Sequence, residues 1–259
     1  MLSPNLFNTI FVFPILNLLL IFYKLFLLIK LPGAFGFSII ALTAFVRLLF
    51  YPFFKQQIHT SKKMQELKPH LDKLNEKHKK DPKKLQEEQM RLYKEAGINP
   101  AMGCIMALVN IPIFYALYST LLQFLQHGND SKVIAAMNKA LYSSFLHISA
   151  IDPSFFGFNL ALSPQKSGLW YYYIIPVITG LLQYFSVPPT QPVVTADASK
   201  NIEKPKDTGA DFQQAMNMQM KFLFPIMIGW FAYTLPVGLA LYWNVVSLFT
   251  IIQYRQLKN

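Results

Sequence analysis

Apolar runs alternate with polar segments along this chain, at a spacing that fits membrane-spanning helices. The run at residues 33–54 sets the pattern, since ~20 helical residues rising ~1.5 Å each cross a hydrocarbon core of ~30 Å. The pattern therefore predicts an all-α polytopic membrane protein with five transmembrane helices. The predicted spans are residues 31–57, 99–125, 168–186, 218–235 and 236–254.

The polar segment at residues 58–98 predicts a helical hairpin that is not embedded in the lipid and lies on the cytoplasmic side. Its first arm contains Pro69, which predicts a kink or a later start of that helix. Asp81 as an N-cap followed by Pro82 predicts the start of the second arm, which Gly97 ends. One stripe at helical spacing in the first arm consists of Leu67, Leu71, Leu74 and His78, and the stripe in the second arm consists of Leu85, Gln89 and Leu92.

The distribution of Lys and Arg predicts which side of the membrane each segment occupies. If residues 1–30 crossed the bilayer, either the basic hairpin or Lys24 and Lys30 would lie outside, against the positive-inside rule. We therefore interpret residues 1–30 as an amphipathic helix in the outer interface. This places the N-terminus outside and the C-terminus in the cytoplasm, across a bacterial cytoplasmic (plasma) membrane. The remaining segments are an external loop at 126–167, a cytoplasmic loop at 187–217 and a short tail at 255–259.

Two local motifs mark the outer ends of the later spans. The sequence Trp170-Tyr171-Tyr172-Tyr173 predicts an interfacial aromatic belt where the third span begins. The tripeptide at 236–238, Pro-Val-Gly, predicts a tight external turn between the fourth and fifth spans.

Composition and charge narrow the function classes. Of the 259 residues, 53% are hydrophobic and 14% are charged, whereas a soluble domain carries about 25% charged residues. None of the 13 Asp and Glu residues and none of the five His lies in a predicted span, which disfavours a buried general base, a metal site and ion-coupled transport. Cys104 is the single cysteine, so an internal disulfide is excluded. We expect neither enzymatic activity nor a cofactor.

The hairpin region is basic overall. Twelve Lys and Arg residues and seven Asp and Glu residues lie between positions 51 and 100 of a chain with a net charge of +11. Two interpretations are open: a solvated pair of mixed-charge helices, or a docking arm that faces anionic headgroups or ribosomal RNA.

Arg47 is the one charged residue in the run at 33–54. In a straight helix it lies about three residues past the midpoint, within ~5 Å of the bilayer centre. A guanidinium keeps its charge, so this placement costs from ~3 to ~10 kcal/mol or more. Either Arg47 faces a wet cavity walled by protein, or its side chain snorkels to the interface.

Uncharged polar residues on the spans extend this pattern. Each one alone is explained by hydrogen bonding between helices. Together with Arg47, they predict a hydrophilic groove that attracts acidic or polar chain segments from the cytoplasmic side. These residues are Thr43, Asn110, Gln183, Trp243, Asn244 and Ser247.

Four stretches in the same order resemble the YidC/Oxa/Alb family of membrane protein insertases, over nearly the whole chain. They are TAFVRLLFYPF at 43–53, the hairpin block at 63–100, GINPAMGCIMALVNIPIFYALYSTL at 97–121 and LPVGLALYWNVVSLFTIIQ at 235–253. The resemblance implies a five-helix bundle around a groove open to the cytoplasm and the lipid. It also implies an insertase that captures nascent membrane proteins and releases their transmembrane segments into the bilayer.

The resemblance assigns roles to individual positions. Arg47 is implied as the groove charge that engages the substrate, while Thr43, Asn110, Gln183 and Trp243 are implied as groove lining. The third and fifth spans, with Tyr242 and Trp243, are implied as the slide along which a substrate helix leaves. Asn110 stands where the family more often has Gln, and the long basic tail with which some members hold ribosomes is not present in this sequence.

The implied partners are nascent membrane proteins and the lipid bilayer, then the ribosome, the signal recognition particle pathway and the Sec translocon, with no specific nucleic acid. Three other functions are weighed against insertion. Arg47 suits the selectivity charge of an anion channel or transporter. A chaperone that packs mature subunits through its spans, and an embedded enzyme, are the other two.

Overall fold

The computed structural model describes residues 5–78, 81–97, 101–127, 130–186 and 219–256, and for residues 101–110 it describes only the helical backbone. The described part is almost entirely helical, which confirms the predicted all-α fold. After a π-helical turn at Asn8–Val12, the helices are α1 (Phe13–Leu28), α2 (Ala34–Leu49), α3 (Tyr51–Lys77), α4 (Pro82–Glu95), α5 (Ala101–His127), α6 (Ser131–Lys139), α7 (Pro164–Ser167), α8 (Ile174–Ser186), α9 (Phe224–Thr234) and α10 (Val237–Gln256). The two strands are β1 (Ser154–Phe155) and β2 (Phe158–Asn159).

Length and composition identify the helices able to cross a membrane. In the described ranges, Asn8–Leu28 and Val237–Gln256 are long and apolar enough, and the bent pair Ala34–Leu49 and Tyr51–Met64 adds a third if it is counted as one span. In the described ranges α8 and α9 have 13 and 11 residues, and each continues directly from a helical turn, a 3₁₀ turn at Trp170–Tyr173 and a π-helical turn at Gln219–Leu223. The five-span arrangement and its boundaries stay a prediction.

A bend separates α2 from α3. The two helices meet at an angle of 64° around Phe50, so a straight helix over residues 33–54 is not observed. Pro52 lies in the first turn of α3, where it has no N–H for the carbonyl of Leu48 and its ring would clash with that carbonyl in a continuous helix. Arg47 therefore lies in the last turn of α2 rather than near the middle of a longer rod.

The N-terminal helix α1 is attached to the segment that follows α6. The buried side chain of Asn17 donates from Nδ2 to the carbonyl of Ala140 (3.2 Å) and accepts from the backbone N–H of Tyr142 (2.8 Å). Further along α1, the hydroxyl oxygen of Tyr23 accepts from the N–H of Asp152 (3.4 Å). These contacts attach the middle of α1 to residues 140–152, and the interfacial position of the helix stays a prediction.

We expect Asn17→Leu to destabilise the fold by about 1–3 kcal/mol, because it removes the two partly buried hydrogen bonds to Ala140 and Tyr142. Asn17→Asp retains the acceptor for Tyr142 but places a buried carboxylate oxygen against the carbonyl of Ala140, so it should destabilise the fold as well. Thermal unfolding of the detergent-solubilised chain measures both variants. Equal stability of the Leu variant and the wild type would show that the attachment of α1 contributes nothing.

The hairpin formed by α3 and α4 confirms the predicted start and end of its second arm. Asp81 caps α4, and its carboxylate accepts from the N–H of Lys84 at 3.1 Å. Gly97 follows α4 in the left-handed conformation, with φ of 65°. Gln89 Nε2 donates to Asn75 Oδ1 at 2.9 Å and so connects the two arms. The later start predicted from Pro69 is wrong, since α3 runs from Tyr51 to Lys77 through that proline.

Two predicted outer motifs differ from the structure. Tyr172 is buried with 2% of its surface exposed, and its hydroxyl accepts from the N–H of Asn159 (2.7 Å), so it belongs to the core and not to an aromatic belt. The connection before α10 is shorter than the predicted turn, because the helix begins at Val237. The N–H groups of Val237 and Gly238 donate to the carbonyls of Leu162 and Leu160 (both 2.9 Å), which satisfies two donors that a helix start leaves unpaired.

Candidate functional site

A cavity of about 340 Å³ lies where α2, α5, α8, α9 and α10 meet. The predicted residues Thr43, Arg47, Gln183, Tyr242 and Trp243 all line it. The predicted Asn110 lies on α5 in the part for which side chains are not described. The fold thus brings together residues from three helices that are up to 200 positions apart in the sequence.

Arg47 is held in this cavity by neutral acceptors on α10. Its Nη2 donates to the backbone carbonyl of Val246 (3.2 Å) and to Oγ1 of Thr250 (2.9 Å). The guanidinium carbon also lies 4.4 Å from the ring centroid of Phe54, a cation–π distance. Within the described ranges, no carboxylate lies in salt-bridge contact with Arg47. The site therefore presents a positive charge whose partners carry no negative charge.

The bend between α2 and α3 brings Phe54 to the guanidinium. Phe54 is seven residues after Arg47 and lies on α3, beyond the 64° change in direction. An aromatic face at this distance stabilises a cation by about 0.5–2 kcal/mol without neutralising it. This contact holds the Arg47 side chain in the cavity and does not neutralise its positive charge.

The uncharged polar residues have partners of different kinds. The hydroxyl of Thr43 donates to the carbonyl of Ile39 in its own helix (2.6 Å). Ser247 Oγ donates to Oε1 of Gln183 (3.2 Å) and so connects α10 with α8. Part of the predicted groove lining is thus hydrogen bonding between helices, the simpler explanation for each residue alone. Asn244 has a buried Oδ1 without a hydrogen-bond partner among the described residues.

The wall of the cavity is otherwise apolar. Eight of its thirteen described lining residues are aliphatic or phenylalanine side chains, among them Ile113, Leu117 and Ile228. Tyr242 and Trp243 are 7% and 8% exposed, so they belong to the inner wall and not to the outer surface of the bundle. The polar character of the cavity is concentrated at Arg47, Gln183 and Tyr242.

Sequence reasoning missed Thr250 and Phe54. Thr250 is seven residues after Trp243, two helical turns along the same face of α10, and this spacing could have identified it. Phe54 is also seven residues after Arg47, but the bend at Phe50 lies between them, so the spacing along a straight helix does not describe their contact.

A second concave surface lies between the arms of the hairpin. Leu74 of α3 and Leu92 of α4 form the apolar floor of a cleft of about 260 Å³, which agrees with the predicted stripes. The rim is charged: Arg91 contacts Glu95 at 2.9 Å and Glu88 at 3.8 Å on α4, while α3 contributes His70, Lys73 and Lys77.

Comparison with known proteins decides the family. The sequence pattern of the family described as "60Kd inner membrane protein" matches residues 11–259. The chain belongs to this family, the YidC/Oxa/Alb family.

Individual relatives in the YidC/Oxa/Alb family agree with this assignment. The chain is 35% identical over 239 residues to "Inner membrane ALBINO3-like protein 2, chloroplastic" of Chlamydomonas reinhardtii, covering 88% of this chain and 51% of the relative. It is 34% identical over 242 residues to "Membrane protein insertase YidC" of Caulobacter vibrioides, covering 93% of this chain and 35% of the relative. It is 32% identical over 260 residues to "Membrane protein insertase YidC" of Oceanobacillus iheyensis, covering 97% of this chain and 83% of the relative.

The chain spans about half the length of the Chlamydomonas relative and about a third of the Caulobacter relative. Membership in the YidC/Oxa/Alb family, together with the apolar helices, establishes a multi-pass protein of an inner membrane.

Proposed function

We propose that this chain is a membrane protein insertase that captures nascent membrane proteins in the cavity around Arg47 and releases their transmembrane segments into the bilayer. The observation that carries the proposal is the cationic side chain of Arg47, which lines a largely apolar cavity and, among the described residues, is bound by neutral acceptors only. Relatives that match most of the chain are named membrane protein insertases.

Capture rests on the charge of Arg47. An acidic or polar substrate segment that reaches the cavity can accept hydrogen bonds from a cation, and such bonds are about twice as strong as neutral ones. The carbonyl of Val246 and the hydroxyl of Thr250 hold one nitrogen in place, so the guanidinium is oriented before the substrate arrives. Since these partners are neutral, a carboxylate does not have to displace another anion.

Release requires an apolar path from the cavity into lipid. Gln183, on the inner side of α8, lines the cavity, while Val177, Leu181 and Phe185 on the same helix are 61%, 54% and 66% exposed. An apolar segment that moves across α8 leaves the polar groups of the cavity and enters lipid. Its apolar surface stays out of water throughout this movement. Tyr242 and Trp243 form the inner wall at the start of this path. No nucleotide is required, because partition into the bilayer supplies the free energy.

The orientation with the N-terminus outside and the C-terminus in the cytoplasm belongs to this proposal. The cavity then opens toward newly made chains, and the cleft between the hairpin arms lies on the same side. The ribosome, the signal recognition particle pathway and the Sec translocon stay predicted partners.

Reconstitution into liposomes tests the proposal directly. A ribosome-synthesised single-span substrate with an acidic N-terminal tail is added, and insertion is scored by protection of the tail from protease. We expect protection well above that of protein-free liposomes. Protection no higher than in protein-free liposomes would contradict the proposal, and chloride conductance in planar bilayers would then favour an anion channel.

We expect Thr250→Val to reduce insertion by a few-fold, less than the loss of the charge itself. Valine has the shape of threonine but cannot accept the 2.9 Å hydrogen bond from Arg47, a loss of about 1.5–3 kcal/mol for a bond to a charged group. Part of this loss is recovered because water can replace the hydroxyl. The liposome assay measures the effect, and Thr234→Val, at a half-buried position on α9, is the matched control. If both variants insert equally well, the hydrogen bond to Thr250 does not position Arg47.

A further inference from the structure

A phenylalanine occupies a strained position at the tip of the strand pair β1–β2. The strands pair Phe155 with Phe158, so only Phe156 and Gly157 form the turn, with φ of 46° and 83°. Two-residue turns of this kind favour Asn, Asp or Gly, because a bulky side chain at positive φ costs conformational free energy. The ring of Phe156 is nevertheless 75% exposed. Its edge-on contacts with the rings of Phe155 and Phe37, at 4.8 and 5.9 Å between centroids, leave most of the side chain uncovered, so packing inside the protein offsets only part of this cost.

The turn is held firmly against the start of α2. The ring of Phe155 fills the space beside Gly33 and Gly36, where a Cβ atom on Gly33 would lie 2.8 Å from the ring and one on Gly36 would overlap it. Phe37 contacts Phe155 and Phe156 edge-on, with ring centroids 5.3 and 5.9 Å apart. The turn that carries Phe156 is therefore held in place by its packing against α2.

The exposed ring continues an apolar surface formed by the membrane helices. Phe37 also contacts Phe26 of α1, with ring centroids 6.0 Å apart, and the nearby Leu28 and Ile29 are 70% and 64% exposed. On the other side, Phe158 contacts Tyr171 (5.3 Å) and Tyr171 contacts Trp170 (6.2 Å). Trp170 is 77% exposed and begins the 3₁₀ turn Trp170–Tyr173, which leads into α8, whose outer face is apolar.

The same segment carries very little charge. Among residues 140–173 only Asp152 and Lys166 are charged, whereas a water-exposed segment of that length would carry about a quarter of its residues as charged side chains. A surface with exposed aromatic tips and few charges fits the headgroup boundary of a bilayer, where Trp and other aromatic side chains are enriched.

We propose that the segment at residues 140–173 lies on the lipid surface, with Phe156 and Trp170 inserted at the headgroup–acyl boundary next to the starts of α2 and α8. The bilayer that contains the helices covers this apolar surface. The reason is that the surface is continuous with the lipid-facing sides of the helices, with no polar interruption at Phe37 or at Trp170. The strain at Phe156 is then offset by transfer of its ring out of water. This inference does not depend on the insertase activity.

Spin labels on the full-length chain in lipid vesicles test the depth. In a Cys104→Ser background, a nitroxide is attached to Phe156→Cys or Trp170→Cys. Ser149→Cys, an exposed polar position in the same segment, is the control, and Leu181→Cys on the outer face of α8 is the lipid reference. Power saturation compares collisions with oxygen, which concentrates in lipid, and with a water-soluble nickel chelate.

We expect the labels at 156 and 170 to collide more with oxygen than with nickel, as at 181, and the label at 149 to show the reverse. A label at 156 that collides more with nickel than with oxygen would overturn the proposal, because the tip of the strand pair would then lie in water. Protection from both reagents would also overturn it, since another protein surface or a second copy of the chain would then cover the tip. All labelled positions are exposed, so the labels disturb no buried packing.

Discussion

Arg47→Ala is expected to reduce insertion of a substrate with an acidic tail by about tenfold or more, and to leave a matched neutral-tailed substrate much less affected. Hydrogen bonds to charged groups contribute about 1.5–3 kcal/mol, and ~1.4 kcal/mol corresponds to a tenfold change in an equilibrium constant. The effect depends on the tail because the described cavity offers the incoming carboxylate a cation and no competing anion.

Protease protection in liposomes measures this prediction with two substrates that differ only in tail charge. Arg47→Lys should retain more activity than Arg47→Ala, since it keeps the charge but not the planar group that contacts Val246, Thr250 and Phe54. Arg255→Ala, an exposed cation in the last turn of α10, is the matched control for net charge. Equal loss of insertion for both substrates would contradict electrostatic capture by Arg47. Insertion would then depend on the apolar path along α8.

Gly229→Leu is expected to separate α8 from α9 and to lower both stability and insertion. A Cβ atom on Gly229 would lie 3.3 Å from the carbonyl oxygen of Pro176 and 3.8 Å from the Cα atom of Gly180. Leucine adds three further carbons, for which this contact has no room, and overpacking of this kind costs about 1–3 kcal/mol or more. Gln183, one helical turn from Gly180, and Ile228, adjacent to Gly229, line the cavity. The substitution therefore changes the shape of the cavity as well.

Thermal unfolding in detergent and the liposome assay together measure this effect. Gly229→Ala should be milder, because one methyl group requires a shift of only a few tenths of an ångström at 3.3 Å. Val177→Leu adds bulk to the exposed side of α8, where 61% of the side chain is free, and should behave as the wild type. If Gly229→Leu were as stable as Val177→Leu, the close approach of the two helices would not be required for the fold.

The sequence alone determined the features that depend on neighbouring residues. The helical class followed from apolar runs, and the start of α4 followed from Asp81, because an N-cap acts on residues within one turn. The importance of Arg47 followed from the cost of a permanent charge in an apolar run. The family followed from motifs whose order in the chain is visible without coordinates.

Only the tertiary structure decided the features that depend on contacts distant in sequence. The bend at Phe50 places Phe54 beside Arg47, and α10 supplies Thr250. Neither contact follows from hydropathy, which does not encode the direction of a helix after a proline. The sequence predicts that Tyr172 belongs to an aromatic belt, but the structure shows it buried. Its hydrogen-bond partner Asn159 belongs to the strand pair, which is distant from it in sequence. Local patterns fix helices and caps, whereas packing decides which side of each helix faces the cavity.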